Sequence, residues 1–183
     1  MNQPRVATRL AVDAPLDAPG SVVGLDAQRA HYLRSVLRLQ RGAQVALFNG
    51  RDGEWRARLD GLGKGWASLE LETQTRPQAP EPDVEVIFAP IKRARLDFLV
   101  EKATELGAAA FQPVFTQHTD VSRVNTERLA ANAREAAEQC ERLTVPEVRE
   151  PVRFTELLDG LDPARRVLLC AEHGAAEPVA RVL

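Results

Sequence analysis

The sequence predicts two units in series, a small antiparallel β-barrel with one helix and then an α/β unit built on a parallel sheet. Three observations predict it. Residues 1–76 read mainly as short strands broken by turn formers, residues 82–183 read as strands alternating with helices, and RPQAPEP at 76–82 sets three prolines between them. A chain of 183 residues can bury a real core in one large domain or two small ones.

In the first unit the expected strands are VATRLAV at 6–12, AQVALFNG at 43–50, EWRARLDGL at 54–62 and WASLELET at 66–73. Asn49, Gly50, Asp52, Gly53, Gly61, Gly63 and Gly65 supply the turns. One helix interrupts them, from about Ala27 to Gln40. In the second unit VEVIFAPI at 84–91 is a continuous apolar run, as a strand buried on both faces would be, and a helix follows from Arg95 to Leu106, where Gly107 ends it. FQPVF at 111–115 is the next strand. A longer helix runs from Thr126 to Leu143, with Asn125 as N-cap and Pro146 just beyond its end. FTELLDGL at 154–161 is a third, shorter helix and RVLLCA at 166–171 another buried strand. Such alternation argues for right-handed crossovers in a parallel sheet.

Composition narrows the function. With 44% hydrophobic and 27% charged residues the chain is an ordinary globular protein, and no apolar run is long enough to span a membrane. MNQPRVATRLAV lacks the pattern of a secretory signal, so a cytoplasmic location is expected. Cys140 and Cys170, with three scattered histidines, have no metal-ligand spacing; both thiols are expected reduced and buried, His118 and His173 at the surface, and no metal is expected. The net charge of −2 divides into +3 over residues 1–79 and −5 over residues 80–183, so the first part is the one expected to meet an anion.

Three stretches stand out chemically. In AQRAHYLRSVLRLQR, helical spacing puts His31, Arg34, Arg38 and Arg41 on one stripe, with Ala30, Leu33 and Leu37 facing the core, and no acid occurs between Ala27 and Arg51. A cationic stripe without local partners suits a row of phosphates. In PIKRARLDFLVEKATELG, Lys92, Arg93 and Arg95 crowd a helix start, where the macrodipole disfavours each by about 0.3–1 kcal/mol. That frustration also points to a bound anion. Leu96, Leu99, Val100, Ala103 and Leu106 are the core stripe of that helix, and Lys102 with Glu105 reads either as an ion pair or as part of a site. In NAREAAEQCERLTVP, Ala133, Ala136, Ala137 and Cys140 form a narrow face for close packing on a sheet, Arg134 and Glu138 have the spacing of a surface ion pair, and Glu135, Gln139 and Arg142 make a second polar stripe. No glycine-rich cofactor loop or nucleophile elbow is present, the only glycines after Gly107 being Gly160 and Gly174.

HYLRSVLRLQRG at 31–42, LFNGRDGEW at 47–55, APIKRARLDFLVEKATELG at 89–107, QPVFT at 112–116 and EAAEQCERLTVPEV at 135–148 together resemble the RsmE family. The family methylates uracil at N3 in small-subunit ribosomal RNA. The resemblance implies a PUA-like barrel at 1–76 and the N-terminal part of a SPOUT-type, trefoil-knotted α/β domain at 82–183. It also implies S-adenosylmethionine as methyl donor, 16S ribosomal RNA or the small ribosomal subunit as partner, a homodimer, and no metal or membrane. Where members commonly show T-E-R-S this chain reads Thr116, Gln117, His118, Thr119, and Glu141 stands where glycine often follows E-Q-C. The family's G-P-E-G-G and closing L-G-x-R-I-L-R-x-E-T-A blocks are absent, so the sequence is expected to match the first three quarters of a member, with the donor pocket beyond Leu183. No catalytic base is assigned. His31, Arg34, Arg38, Lys92, Arg93, Arg95, Arg134 and Arg142 are the candidates to hold RNA backbone or carbonyl oxygens. The alternative is a catalytically silent RNA-binding module; a PUA-like domain joined to an unrelated α/β enzyme is a third reading.

Overall fold

The computed structural model describes residues 5–119, 121–170, 174 and 177–182. In the first unit, strands β1 (Val6–Ala11), β2 (Val22–Leu25), β3 (Gln44–Phe48), β4 (Glu54–Leu62) and β5 (Ala67–Arg76) form one sheet in the order β1-β3-β4-β5-β2. The sheet is mixed rather than purely antiparallel, because β1 runs parallel to β3 while the other pairs are antiparallel. Alternation along β4 and β5 buries Trp55, Ala57, Leu59, Ala67, Leu69 and Leu71 around a common core. β2 is a strand that sequence reading missed, since VVGL is short and contains a glycine.

The expected fourteen-residue helix is much shorter. Helix α1 (Ala27–His31) is capped by Asp26, whose side chain accepts from Arg29 N, and it widens at once into a π turn over Tyr32–Val36. Leu37 N donates to Tyr32 O, and Arg38 then takes the left-handed conformation at φ 54. A non-glycine residue in that region costs about 1–2 kcal/mol. Ala30 and Leu33 still fill the barrel core, so the inward face was read correctly and the length was not.

The second unit is a parallel sheet. Strand β6 (Glu85–Phe88) pairs with β7 (Ala110–Phe115), and the two-residue strands β8 (Glu147–Val148) and β9 (Val152–Arg153) pair in succession with the other side of β7. Helices α2 (Arg93–Glu105) and α3 (Thr126–Gln139) pack on each other around Leu96, Val100, Phe111, Leu129 and Ala133. α4 (Phe154–Asp159) and the helical turn α5 (Val179–Val182) follow.

Several expectations fail here. β6 is not buried on both faces, since Val84, Ile87 and Ile91 are exposed: β6 is an edge strand, and its ladder runs on one side. Leu106 is 87% exposed because α2 has ended before it reaches the core. Residues 166–170 form no strand; Val167, Leu168 and Leu169 are exposed, with no described strand alongside to pair with. Residue 171, the end of that segment, and His173 lie outside the described residues. Cys140 is half-buried and Cys170 exposed, not buried as expected. His118 is exposed, as expected.

α3 ends at Gln139, four residues short of the expected Leu143, where Cys140 caps it and Glu141 turns left-handed at φ 62. Its small-residue face was expected to sit close to a sheet, and the sheet it meets is the barrel's. Ala137 and Leu143 pack against Ala11 and Phe48 in a third core cluster between the two units. Alanine at 137 lets the helix approach the β1 backbone closely, which larger side chains would prevent.

Candidate functional site

The predicted cations separate into two sets once their surroundings are visible. Arg142 belongs to the junction. Its side chain is 9% exposed, its Nη1 donates to Thr104 O and Ala108 O at 2.8 Å each, and its Nη2 pairs with Glu81. The guanidinium therefore terminates α2 and ties down the proline-rich segment, and it is unavailable to a polyanion. Arg134 is also engaged. It donates to Ala11 O at 3.1 Å and to Asp13 Oδ1 at 3.4 Å, while Glu138 accepts from Ala11 N at 3.0 Å. The expected Arg134–Glu138 surface pair is instead a two-pronged clamp that satisfies the backbone at the end of β1. Burial against β1 pushes the Glu138 carboxyl above its ordinary pKa, with the Ala11 N–H and the positive charges of Arg29 and Arg134 opposing the shift.

Sequence reading missed the residue that organises this junction. Arg9, on β1, donates through Nε to Glu54 at 2.7 Å, through Nη1 to Ala137 O and Glu138 O, and through Nη2 to Arg142 O. Its guanidinium lies 4.6 Å from the Phe48 ring centroid. Two of the three carbonyls it takes, those of Ala137 and Glu138, belong to the last turn of α3, so the barrel caps a helix of the second unit. Alternation in VATRLAV placed Arg9 on a strand but gave no sign of four acceptors. The segment at 77–84 is likewise a strap rather than a loose tether, since Arg76 donates to Glu141 O at 2.8 Å and Gln78 to Thr144 Oγ1 at 3.3 Å.

His31, Arg34, Arg38, Lys92, Arg93 and Arg95 form the other set. All six are exposed, and none has an ion pair or side-chain hydrogen bond with a described residue. Several other arginines do find partners, as Arg41 does with Asp60, Arg56 with Glu72, Arg58 with Glu70 and Arg149 with Glu85. Arg41 thus leaves the predicted stripe, and Arg38 projects from a left-handed residue instead of a helix face. Lys102 is in ion pairs with Glu101 and Glu105, which settles it as a surface cluster.

Lys92 is the N-cap of α2 and offers no side-chain cap, so Lys92, Arg93 and Arg95 surround free backbone N–H groups at the carboxyl edge of β6. The carboxyl ends of parallel strands are where α/β sheets bind ligands. At the same edge, a pocket of about 330 Å³ is lined by Phe115, Arg123, Asn125, Thr126, Glu150 and neighbouring residues. Its polar groups are largely used internally, Thr126 Oγ1 donating to Glu150 at 2.8 Å and Asn125 capping Arg128 N. No buried, unpartnered polar atom among the described residues points into it. The residues lining this pocket thus do not assemble a finished cradle for a nucleoside-sized cofactor, and no group of three metal-ligating side chains occurs among the described residues. No described helix is long and apolar enough to cross a membrane.

Comparison with known proteins relates both parts of the chain to RNA methyltransferases. The model of the RNA methyltransferase domain matches residues 78–182, and that of the RNA methyltransferase PUA domain matches residues 25–72. Ribosomal RNA small subunit methyltransferase E of Synechocystis is 36% identical over 168 residues, covering 90% of this chain and 55% of the relative. The Rickettsia conorii protein of that name is 34% identical over 128 residues, covering 70% of this chain and 52% of its own length. The chain thus spans about half the length of these curated relatives, a smaller share than the three quarters expected. Among solved structures, ribosomal RNA small subunit methyltransferase E of Neisseria gonorrhoeae, bound to S-adenosyl methionine, superposes with a TM-score of 0.76 at 28% identity, covering 85% of this chain and 66% of that one. A putative methyltransferase of Legionella pneumophila, at 23% identity and a TM-score of 0.77 over 87% of this chain and 72% of its own, shares the fold. The PUA-like barrel, the parallel α/β unit and these matches place the chain in the RsmE family of SPOUT-class RNA methyltransferases.

Proposed function

We propose that this chain serves the S-adenosylmethionine-dependent methylation of a uracil at N3 in 16S ribosomal RNA, and that its own described residues do the gripping and positioning of RNA. The observation that carries the reading is the set of unpaired, exposed cations His31, Arg34, Arg38, Lys92, Arg93 and Arg95, contributed by both units of an RNA methyltransferase family member. In a chain where most strand arginines are neutralised by acids, cations left bare are surface charge available to phosphates. Arg134 is two-thirds shielded by its contacts with β1, and at most supports this surface from the side.

The chemistry assigns limits as well as roles. Methylating N3 requires that the uracil lose its N3 proton while negative charge gathers on the ring carbonyls, and cations or N–H groups near those oxygens stabilise that charge. Lys92, Arg93 and Arg95 at the α2 start are the groups proposed for it here. The donor pocket is proposed to draw on residues that this chain's described part does not supply, which fits the open pocket at Phe115 and Thr126. A homodimer and a cytoplasmic location, where ribosomal RNA is made and assembled in bacteria, belong to the same reading.

The test is binding to a 16S fragment across a salt series. Arg34→Ala with Arg38→Ala weakens binding and flattens the dependence of log K on log salt by up to about 2 units. An unchanged slope would remove the barrel cations from the interface. Calorimetry with S-adenosylmethionine on the same 183-residue chain separates the two readings of its activity: heat of binding supports a residual donor site, while RNA binding alone supports the silent module.

A further inference from the structure

Trp66 lies at the tip of the β4–β5 hairpin and is 56% exposed, whereas Trp55 is 7% exposed. An exposed tryptophan is unremarkable when it is free to move, but this one has been given a seat. A Cβ built on Gly61 would lie 2.6 Å from Trp66 Cζ3, and one built on Gly63 would collide with Nε1 and lie 2.7 Å from Cδ1. Neither glycine has a positive φ, so neither is needed for backbone conformation. Their missing side chains are what make room for the indole. Gly63 N also donates to Trp66 O at 2.9 Å, fixing the backbone beneath the ring.

The ring is therefore seated against the two glycines and yet keeps more than half of its surface open to solvent. Lys64, between Gly63 and Gly65 in the turn, is exposed and has no partner among the described residues. A flat aromatic face seated on glycine, with an unpaired lysine two residues before it in the same turn, matches the demands of an unpaired nucleotide, which stacks its base and leaves its phosphate for a cation. The exposed apolar area of a single indole is far too small for a protein partner.

We propose that Trp66 is a stacking platform for an unpaired base of the RNA, with Lys64 on the adjoining phosphate. The proposal rests on the RNA-binding reading above and adds a third contact to it, at the hairpin tip. Stacking is worth about 1–3 kcal/mol per base, so losing it weakens binding by about 5- to 150-fold.

The experiment uses the unmodified chain, which holds only two tryptophans, one of them buried. A short single-stranded oligouridylate is titrated while tryptophan fluorescence is followed, and binding is measured independently by anisotropy of the labelled RNA. Quenching that tracks anisotropy, in a signal that acrylamide also quenches, places a base on Trp66. Trp66→Ala should then weaken binding by the factor above without changing the salt slope, since stacking releases no counterions. Trp66→Phe keeps a ring over Gly61 and Gly63 and should retain most of the affinity. Binding with no quenching, or a Trp66→Ala protein with unaltered affinity, overturns the platform and leaves the RNA reading standing. Failure of the unmodified chain to bind any RNA overturns both.

Discussion

Replacing Arg9 with alanine should loosen the whole molecule, because four hydrogen bonds and a nearly buried ion pair converge on that one guanidinium. Arg9 and Glu54 are 11% and 12% exposed, and removing one partner from a buried pair costs about 3–5 kcal/mol. Glu54 keeps Thr75 Oγ1 at 2.8 Å and Arg76 at 3.8 Å, which holds the electrostatic loss near the lower end of that range. The carbonyls of Ala137, Glu138 and Arg142 lose a charged donor, and water entering the gap recovers only part of what is lost. A total of about 3–5 kcal/mol follows. At about 2–4 °C per kcal/mol for a chain of this size, Tm falls by roughly 6–20 °C. Scanning calorimetry reads more than the midpoint, because Arg9 also couples the two units. The wild type should unfold in one transition, and Arg9→Ala should divide it into two. Arg9→Lys should recover little, since an ammonium is a point charge and cannot serve acceptors spread around a planar fork. A Tm lowered by less than about 3 °C, or full rescue by lysine, would refute the argument that this residue is the junction's organiser.

Two further outcomes test other parts of the structure. The folded Glu138 carboxyl has its pKa raised, so its contribution is greatest below the unfolded value and is lost as pH rises through the folded one. Glu138→Gln, which retains an acceptor for Ala11 N, should therefore melt higher than wild type at pH 7.5, with the gap closing near pH 4; a variant less stable at pH 7.5 contradicts the desolvation account. Gly53 and Gly50 both have positive φ, but a Cβ on Gly53 would collide with Arg76 O and lie 2.8 Å from Gln78 N, whereas one on Gly50 would sit 3.5 Å from Thr144 Cγ2. Gly50→Ala should cost only the backbone strain of about 1–2 kcal/mol, and Gly53→Ala clearly more, as urea unfolding would show.

What could be read in the sequence was local. EWRARLDGL gave β4 with its observed ends, because strict alternation and flanking glycines are properties of the segment itself. Asn125 was legible as a cap for the same reason. The AQRAHYLRSVLRLQR helix was overread, since helical periodicity persists through a π turn that only the barrel core imposes, through Leu33. RVLLCA read as a buried strand because apolar composition reports what a segment would bury, and pairing depends on a neighbour. Arg142 looked like every other exposed arginine; its burial depends on Glu81 and on carbonyls of α2, far away in sequence.

The basic stretch from Ala27 to Arg51 shows how that limit bears on function. Absence of acids within the stretch suggested that all its cations were unpaired, yet Arg41 reaches Asp60 and Arg51 lies 3.6 Å from Asp52, just past the stretch. Arg41 finds its acid 19 residues along the chain, at a distance that spacing within the stretch does not report. Arg34 lies in the π turn and Arg38 is the left-handed residue that follows it, and neither pairs with a described acid. Arg9, Arg134 and Arg142, by contrast, are consumed by carbonyls, and Arg9 and Arg134 do so across the junction of the two units. Under the proposed RNA reading, a junction set before RNA arrives means that binding does not have to supply the entropy of bringing the barrel cations and the α2 start together.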